Sequence, residues 1–162
     1  MLGRKTRVLV PAGEQAPEFE LKRLEGGRQS LRELLKAGPA LVTFYKIGCP
    51  VCQLTAPYLE RLSAGGKLQV IGVSQDDEGA TGSFMQRFGV TFPTLLDQAS
   101  EGYSASNAYG ISSVPSLFLV EQDGRIAKSF SGFSKRDLEE IGQRAGVAPF
   151  RPDEKVPEWK AG

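Results

Sequence analysis

The chain has 162 residues, a formal net charge of +1 and a hydrophobic fraction of 40%. This length fits one domain with a core of its own, and the balanced charge argues against a nucleic-acid or anionic-membrane surface. Histidine is absent from the sequence, which excludes a serine–histidine or cysteine–histidine catalytic pair within the chain.

The sequence carries no clear membrane or export signal. No apolar stretch approaches the roughly 20 residues of a spanning helix. The basic first residues are followed by an apolar run that breaks at Pro11, short of the roughly 7–15 residues that a signal peptide needs. We therefore expect a cytoplasmic protein with no membrane span; the alternative is a periplasmic protein whose leader has been removed.

The predicted elements begin after an arm, residues 1–15. Residues 18–24 alternate polar and apolar side chains, and Gly26-Gly27 predicts a turn into a second strand. Ser30 has the side chain of a helix cap, and a short helix is expected over residues 31–36. The domain is therefore predicted to begin with a β-hairpin and a helix.

The next segment predicts a strand, a helix and a second strand. Residues 40–46 form an apolar, β-branched and aromatic run that leads into Cys49. The apolar stripe of the helix that follows consists of Val51, Leu54, Tyr58 and Leu62. Residues 68–74 predict another buried strand, and a crossover of this length favours parallel pairing.

After this unit the sequence predicts an insert. Asp76 or Asp77 caps a helix that ends at Gly89, and residues 94–96 form a short extended piece. Residues 103–109 predict another short helix.

Two strands and a helix complete the domain. Residues 116–121 and 125–130 predict a hairpin across Asp123-Gly124, and Ser134 caps an amphipathic helix. A parallel pair followed by an antiparallel pair, with helices on both faces, predicts an α/β domain with a mixed sheet over residues 16–147.

The tail, residues 148–162, follows the predicted domain. It is rich in proline and charge, and we expect it to be loosely ordered. Trp159 is the one residue in it that suggests a docking contact.

Two cysteines, Cys49 and Cys52, stand where the first buried strand meets its helix. This junction places the Cys49 sulfur beside free backbone N–H groups and the positive end of the helix dipole, which favour the thiolate. Cys52 lies one turn further along, where it can attack a mixed disulfide on Cys49. Pro50 suits the first helical turn because its missing N–H costs nothing there. The arrangement predicts thiol–disulfide exchange.

Three other interpretations of the cysteine pair are weaker. A zinc site would need two more soft ligands, and the chain has no further cysteine and no histidine. A structural disulfide would close a loop too short to stabilise the fold much. Two thiols that are simply buried would agree with the usual burial of cysteine. We expect no metal and no cofactor.

A second motif lies far from the cysteines in the sequence. Val114-Pro115-Ser116 begins a predicted strand, a position where proline is tolerated. A cis bond between Val114 and Pro115 would expose the Val114 backbone to a bound extended peptide. The alternative is an ordinary trans turn proline.

Together these motifs resemble the thioredoxin superfamily. The run over residues 44–57 is similar to its active-site strand and helix, Val114-Pro115-Ser116 to its cis-proline loop, and Gly132 to the glycine after its last strand. Residues 16–21 resemble the redoxin branch, which holds TlpA-like and ResA-like thiol-disulfide oxidoreductases and peroxiredoxin relatives. The resemblance covers about residues 13–146.

The resemblance implies a thioredoxin fold with an N-terminal β-hairpin extension and an αβ insert. It implies that Cys49 is the nucleophile and Cys52 the resolving thiol. The substrate-binding positions that it implies are Pro50, Val51, Val114 and Pro115. The implied partners are a protein disulfide as substrate and a dithiol electron donor.

Three positions depart from the family pattern. Thr43 stands where thioredoxins carry a buried aspartate, and Thr55 stands where TlpA-like members usually have a glutamate. Gly48 replaces the tryptophan that normally precedes the first cysteine. The usual proton acceptor for Cys52 is therefore missing.

Lys46, three residues before Cys49, is a candidate for lowering the pKa of the Cys49 thiol. An ammonium group near the Cys49 sulfur would lower the pKa of that thiol, because the opposite charge favours the thiolate. The alternative is an ordinary solvent-exposed lysine at the end of a strand.

The leading hypothesis is a monomeric thiol-disulfide oxidoreductase that acts on protein disulfides, in the reducing direction if it is cytoplasmic. The alternative is a peroxiredoxin-like thiol peroxidase with Cys49 as the peroxidatic cysteine. Against it, Val42 and Lys46 replace the proline and threonine that activate peroxide in that family. Copper delivery of the Sco type uses a histidine and a CxxxC spacing, and a glutaredoxin-like role would need a glutathione pocket that the sequence does not reveal.

Overall fold

The computed structural model describes residues 8–162, so residues 1–7 of the predicted arm lie outside the described part. In chain order the strands and helices are β1 (Glu20–Arg23), β2 (Arg28–Ser30), α1 (Leu31–Leu35), β3 (Ala40–Tyr45), α2 (Pro50–Ala64), β4 (Gln69–Ser74), α3 (Glu78–Phe88), β5 (Thr94–Leu96), α4 (Ser104–Ala108), β6 (Ser116–Val120), β7 (Ile126–Ser131), β8 (Phe133–Ser134), α5 (Lys135–Ala145) and β9 (Trp159–Lys160). Every predicted element is present, and β8, β9 and a one-turn 3-10 helix (Ala99–Glu101) are additional. Within residues 8–162, no helix has both the length and the apolar character needed to cross a bilayer.

Seven strands form one mixed sheet in the order β2-β1-β5-β4-β3-β6-β7. Strands β3, β4 and β5 are parallel to one another, whereas β6, β7 and the β1–β2 hairpin pair in antiparallel fashion. The predicted parallel unit, hairpin extension and inserted α3–β5 unit are thus confirmed. All six residues of β3 are buried, and the chain leaves this central strand directly toward Cys49.

Helices cover both faces of the sheet, as predicted. Neighbouring residues on β3 face opposite sides. Tyr45 packs against Phe84 of α3, with ring centroids 5.2 Å apart. On the other face, Phe44 packs against Tyr109, which follows α4, at 5.0 Å, and Phe118 lies 4.9 Å from Tyr109. These two aromatic clusters hold β3 between them.

Helix α2 is rotated relative to the prediction. The residues that it buries are Cys52, Thr55, Ala56, Leu59 and Leu62. Of the predicted stripe, Val51, Leu54 and Tyr58 are only half-buried. The periodicity misleads because Tyr58 packs on Phe150 of the tail, with ring centroids 4.7 Å apart, so α2 has apolar partners on a second flank.

The described part of the arm is joined to the domain by backbone hydrogen bonds. The Val10 N–H donates to the Tyr109 carbonyl at 3.1 Å, and the Gly13 N–H donates to the Ile126 carbonyl at 2.8 Å. Residues 8–13 therefore lie along the domain instead of extending from it.

The tail is ordered as well, so the expectation of a loosely ordered segment is wrong. Phe150 packs on Tyr58, Glu154 forms an ion pair with Arg61 of α2, and β9 pairs with β8. Composition alone misses this order, because two of the partners of the tail, Tyr58 and Arg61, lie on α2, far away in the sequence.

Candidate active site

Cys49 caps helix α2. Its backbone is extended, with φ −87° and ψ 115°, and its sulfur accepts a hydrogen bond from the Cys52 N–H at 3.3 Å. Pro50 is the first residue of the helix, where no backbone donor is needed. The Cys49 sulfur therefore lies at the positive end of the helix dipole, which stabilises a negative charge on it.

The Val114–Pro115 loop lies against the same sulfur. The Cys49 thiol donates a hydrogen bond to the Val114 carbonyl oxygen at 3.3 Å. The peptide bond between Val114 and Pro115 is cis, and Pro115 borders the same small cavity as Cys52. The structure thus brings together four of the predicted site residues from two distant segments of the chain.

The two thiols differ in accessibility. Both are free; Cys49 is half-buried, whereas Cys52 is only 3% exposed. Pro50 is exposed and Val51 is half-buried, so both can contact a molecule that approaches Cys49. A reagent from solvent reaches Cys49 first, and Cys52 is reached only from Cys49 or through a local opening.

A groove of about 640 Å³ opens beside Val114. Lys46, Gln75, Tyr103, Ser106 and residues 111–114 line it. Lys46 is exposed at the end of β3, which places it on the rim of this groove. Its influence on the Cys49 thiol stays a prediction.

Tyr103 is a groove residue that the sequence does not indicate. It has left-handed backbone, with φ 49°, and it is 39% exposed. Nearby, the Gln75 side-chain amide donates to the Ser106 hydroxyl at 2.9 Å, which ties helix α4 to the end of β4. A positive φ at a residue other than glycine leaves no trace in hydrophobic periodicity, so Tyr103 could not be placed in advance.

The environment of Cys52 keeps its thiol protonated. Burial raises the pKa of Cys52 well above its ordinary value of 9.0, and the hydrogen bond with Cys49 raises it further. The negative charge of the Asp76 carboxylate acts in the same direction. Asp76 itself is fixed by a hydrogen bond from the Ile47 N–H at 2.8 Å.

Thr43 and Thr55 stand where the family has acidic residues, and neither replaces the missing proton acceptor for Cys52. Thr55 donates its hydroxyl to the Val51 carbonyl at 2.7 Å, and the buried Thr43 hydroxyl has no hydrogen-bond partner among the described residues. Asp76 is the carboxylate whose charge acts on Cys52. The sequence indicates Asp76 only as a candidate helix cap, and the observed cap of α3 is Asp77.

The raised pKa of Cys52 predicts a loss of stability in alkali. The folded protein retains this proton at a pH where the unfolded chain has released it, so stability falls as pH rises above about 9. Replacing Cys52 with alanine should therefore reduce the loss between pH 9 and pH 10 by about 1 kcal/mol. Burial also raises the pKa of Tyr45 to about 12, so a further loss begins above pH 10 in both proteins.

Urea unfolding of the reduced proteins at a series of pH values provides the measurement. If wild type and Cys52→Ala lose the same free energy between pH 9 and pH 10, the Cys52 thiol is not held protonated by its surroundings.

Cys49 is an accessible thiol at a helix N-terminus, and the protonated thiol of Cys52 lies behind it. A thiol in this position can attack a disulfide, and the second thiol can then resolve the mixed disulfide that forms. In this mixed sheet, that chemistry defines a thioredoxin-like thiol-disulfide oxidoreductase. The chain belongs to the Redoxin family, whose model matches residues 11–144. It is similar to the thiol-disulfide oxidoreductase ResA of Halalkalibacterium halodurans, with 35% identity over 130 residues that cover 78% of this chain and 72% of ResA.

Solved structures share the fold. The thioredoxin domain of a thiol-disulfide oxidoreductase from Bacteroides vulgatus aligns with a TM-score of 0.74 at 24% identity, covering 83% of this chain and 97% of that domain. A peroxidoxin, BcpB from Mycobacterium tuberculosis, aligns with a TM-score of 0.66 at 21% identity, covering 84% and 94%. Identities this low establish the fold alone.

Proposed function

We propose that the protein exchanges disulfides with other proteins through a mixed disulfide on Cys49. The Cys49 thiolate attacks one sulfur of the substrate disulfide, forms an intermolecular disulfide and releases the other substrate sulfur as a thiolate. Cys52 then loses its proton and attacks the Cys49 sulfur, which releases the reduced substrate and leaves a Cys49–Cys52 disulfide. A dithiol electron donor reduces that disulfide and is itself oxidised.

One observation carries this proposal: the Cys49 sulfur lies 3.3 Å from both the Cys52 nitrogen and the Val114 carbonyl oxygen. The N–H stabilises the thiolate that attacks first and leaves in the second step. The carbonyl belongs to a main-chain segment beside the reacting sulfur, where an extended polypeptide can pair by β-strand addition.

The groove beside Val114 provides the remaining surface for a polypeptide substrate. The ring of Tyr103 offers an exposed aromatic contact of the kind enriched in protein interfaces. Ser112 and Ser113 add hydroxyl groups, and Lys46 adds a positive charge at the rim. These groups favour an extended segment of protein over a small apolar ligand.

The assay that tests the proposal follows the reduction of insulin disulfides with dithiothreitol as electron donor, in parallel with peroxide consumption. Catalysed insulin reduction is expected, with peroxide consumption no faster than that of an ordinary thiol. Val42 and Lys46 leave peroxide without the hydrogen bonds that would activate it. Rapid peroxide turnover without insulin reduction would overturn the proposal in favour of a thiol peroxidase.

The proposed role of Lys46 has its own test. Lys46→Ala should slow the alkylation of Cys49 at neutral pH by about two- to fivefold, because a nearby positive charge favours the thiolate. Lys46→Arg keeps the charge and serves as the matched control. If Lys46→Ala reacts as fast as wild type, Lys46 is an ordinary surface lysine.

We also propose that the protein acts as a cytoplasmic monomer, in the reducing direction. Cytoplasmic thiols are kept reduced, so a dithiol donor is supplied continuously there. Fractionation of cells that express the complete gene product tests the location, and light scattering tests the oligomeric state. Recovery outside the cytoplasm, or as a dimer, would contradict these two points without affecting the exchange chemistry.

A further inference from the structure

The tail begins its path by packing on two helices. A Cβ atom on Gly142 of α5 would lie 2.5 Å from the Val147 carbonyl oxygen, so the backbone of the tail passes directly over this glycine. Phe150 then packs between Tyr58 and Phe133, with ring centroids 4.7 Å and 5.9 Å away. This first half of the tail is held by apolar contacts.

An ion pair holds the middle of the tail. Arg61 of α2 donates two hydrogen bonds to the Glu154 carboxylate, at 2.6 Å and 2.9 Å, and a third to the Pro149 carbonyl at 2.9 Å. The hydrogen bond from Arg61, followed by that of the Arg151 N–H, lowers the pKa of Glu154 to about 2. The carboxylate therefore stays charged at neutral pH and the anchor persists.

The last part of the tail forms a β-strand beside the active site. Strand β9 pairs with β8 in antiparallel register, and the Lys135 N–H donates to the Glu158 carbonyl at 3.0 Å. A Cβ atom on Gly132 would lie 2.3 Å from the Lys160 carbonyl oxygen. Gly132, with φ +81°, lets the tail approach this closely because it has no side chain.

From there the tail reaches the loop that faces the reacting sulfur. A Cβ atom on Gly162 would lie 2.2 Å from the Val114 carbonyl oxygen and 3.3 Å from the Pro115 nitrogen. The same Val114 oxygen accepts the hydrogen bond from the Cys49 thiol. Val114 is only 9% exposed, although it is the residue whose backbone should meet a substrate.

We propose that residues 159–162 act as a strap that covers, in cis, the backbone surface between Gly132 and Val114, next to the groove, where a polypeptide substrate would pair. This inference rests on the proposed exchange with protein disulfides. A polypeptide that pairs with this edge must first displace the strap, since both use the same backbone surface. A small disulfide reaches Cys49 from the Lys46–Tyr103 side and leaves the strap in place. The strap therefore sets specificity, disfavouring protein disulfides that cannot displace it.

Deletion of residues 159–162 tests the strap while keeping Phe150 and the Glu154 anchor. In a Cys52→Ser background Cys49 is the single thiol, and its alkylation by a bulky polyethylene-glycol maleimide is compared with alkylation by iodoacetamide. The deletion should increase the rate at which the bulky reagent alkylates Cys49 about tenfold, and the rate for the small reagent less than twofold. Gly162→Ala, whose Cβ would meet the Val114 oxygen, should shift the ratio in the same direction. Lys155→Ala, an exposed change in the tail, is the control that leaves the ratio unchanged.

An unchanged ratio of the two alkylation rates in both strap variants would overturn the proposal. Insulin reduction by the same tail variants with both cysteines intact separates the strap from the proposed function. If the ratio rises but neither wild type nor the deletion reduces insulin, the strap stands and the exchange with protein disulfides fails.

Discussion

Replacing Cys49 with serine should abolish disulfide reduction, with a rate loss on the order of 1000-fold or more. A serine hydroxyl stays protonated at neutral pH and cannot form the mixed disulfide. It does preserve the cap of α2, because its oxygen can accept the Cys52 N–H as the sulfur does. The insulin assay with dithiothreitol measures the loss, and far-UV circular dichroism confirms that the fold is retained.

Cys52→Ser is the matched control for that variant. It removes the buried thiol but keeps the nucleophile, so it should attack the substrate once and then stall in the mixed disulfide. Further turnover of Cys52→Ser then requires dithiothreitol to cleave the mixed disulfide, a step that Cys52 performs in wild type. If Cys49→Ser retains wild-type turnover, Cys49 is not the nucleophile.

Replacing Phe44 with alanine should give the largest loss of stability, about 3–5 kcal/mol. Phe44 is fully buried at the centre of β3 and contacts the rings of Tyr109 and Phe118, 5.0 Å and 5.8 Å away. The rigid strands around it cannot collapse into the cavity that the substitution leaves. Urea unfolding at neutral pH measures the change in the free energy of unfolding.

Val8→Ala is the control for the core substitution, because Val8 is 75% exposed. Its expected effect is below about 0.5 kcal/mol. A loss as small for Phe44→Ala as for Val8→Ala would show that the aromatic cluster does not stabilise the sheet.

The local signals in the sequence predict the elements of the fold closely. Ser30 and Ser134 cap the helices that the sequence predicts after them. Each serine side chain accepts a hydrogen bond from the backbone N–H three residues further along the chain. Gly89 ends α3 with a left-handed backbone, as a helix-terminating glycine does. These features are encoded within a few residues, so they can be read without knowledge of tertiary contacts.

The dithiol is also predictable, because the strand–cysteine–helix order is a local pattern. The Val114-Pro115 residues alone leave a cis and a trans bond open, and the resemblance to the thioredoxin superfamily implies the cis bond that is observed. The meeting of these two motifs at one sulfur follows from the pairing of β3 with β6, which the resemblance to thioredoxins implies. The rotation of α2 was not predictable, since Phe150 gives Tyr58 a partner outside the core.

Long-range polar contacts account for the rest of what the sequence does not reveal. The Arg61–Glu154 pair joins residues 93 positions apart and fixes a tail whose composition resembles that of a disordered segment. Asp76 acts on Cys52 because β3 and β4 run parallel and end at the same edge of the sheet. Neither relation has a spacing that could be recognised in the chain.

The most direct test of the central claim is the mass of the Cys52→Ser protein after reaction with a disulfide-bonded substrate peptide. A mixed disulfide on Cys49 predicts one substrate chain attached to that residue, released by dithiothreitol, and no adduct on Cys49→Ser. The absence of an adduct on Cys52→Ser, or an equal adduct on Cys49→Ser, would contradict exchange through Cys49.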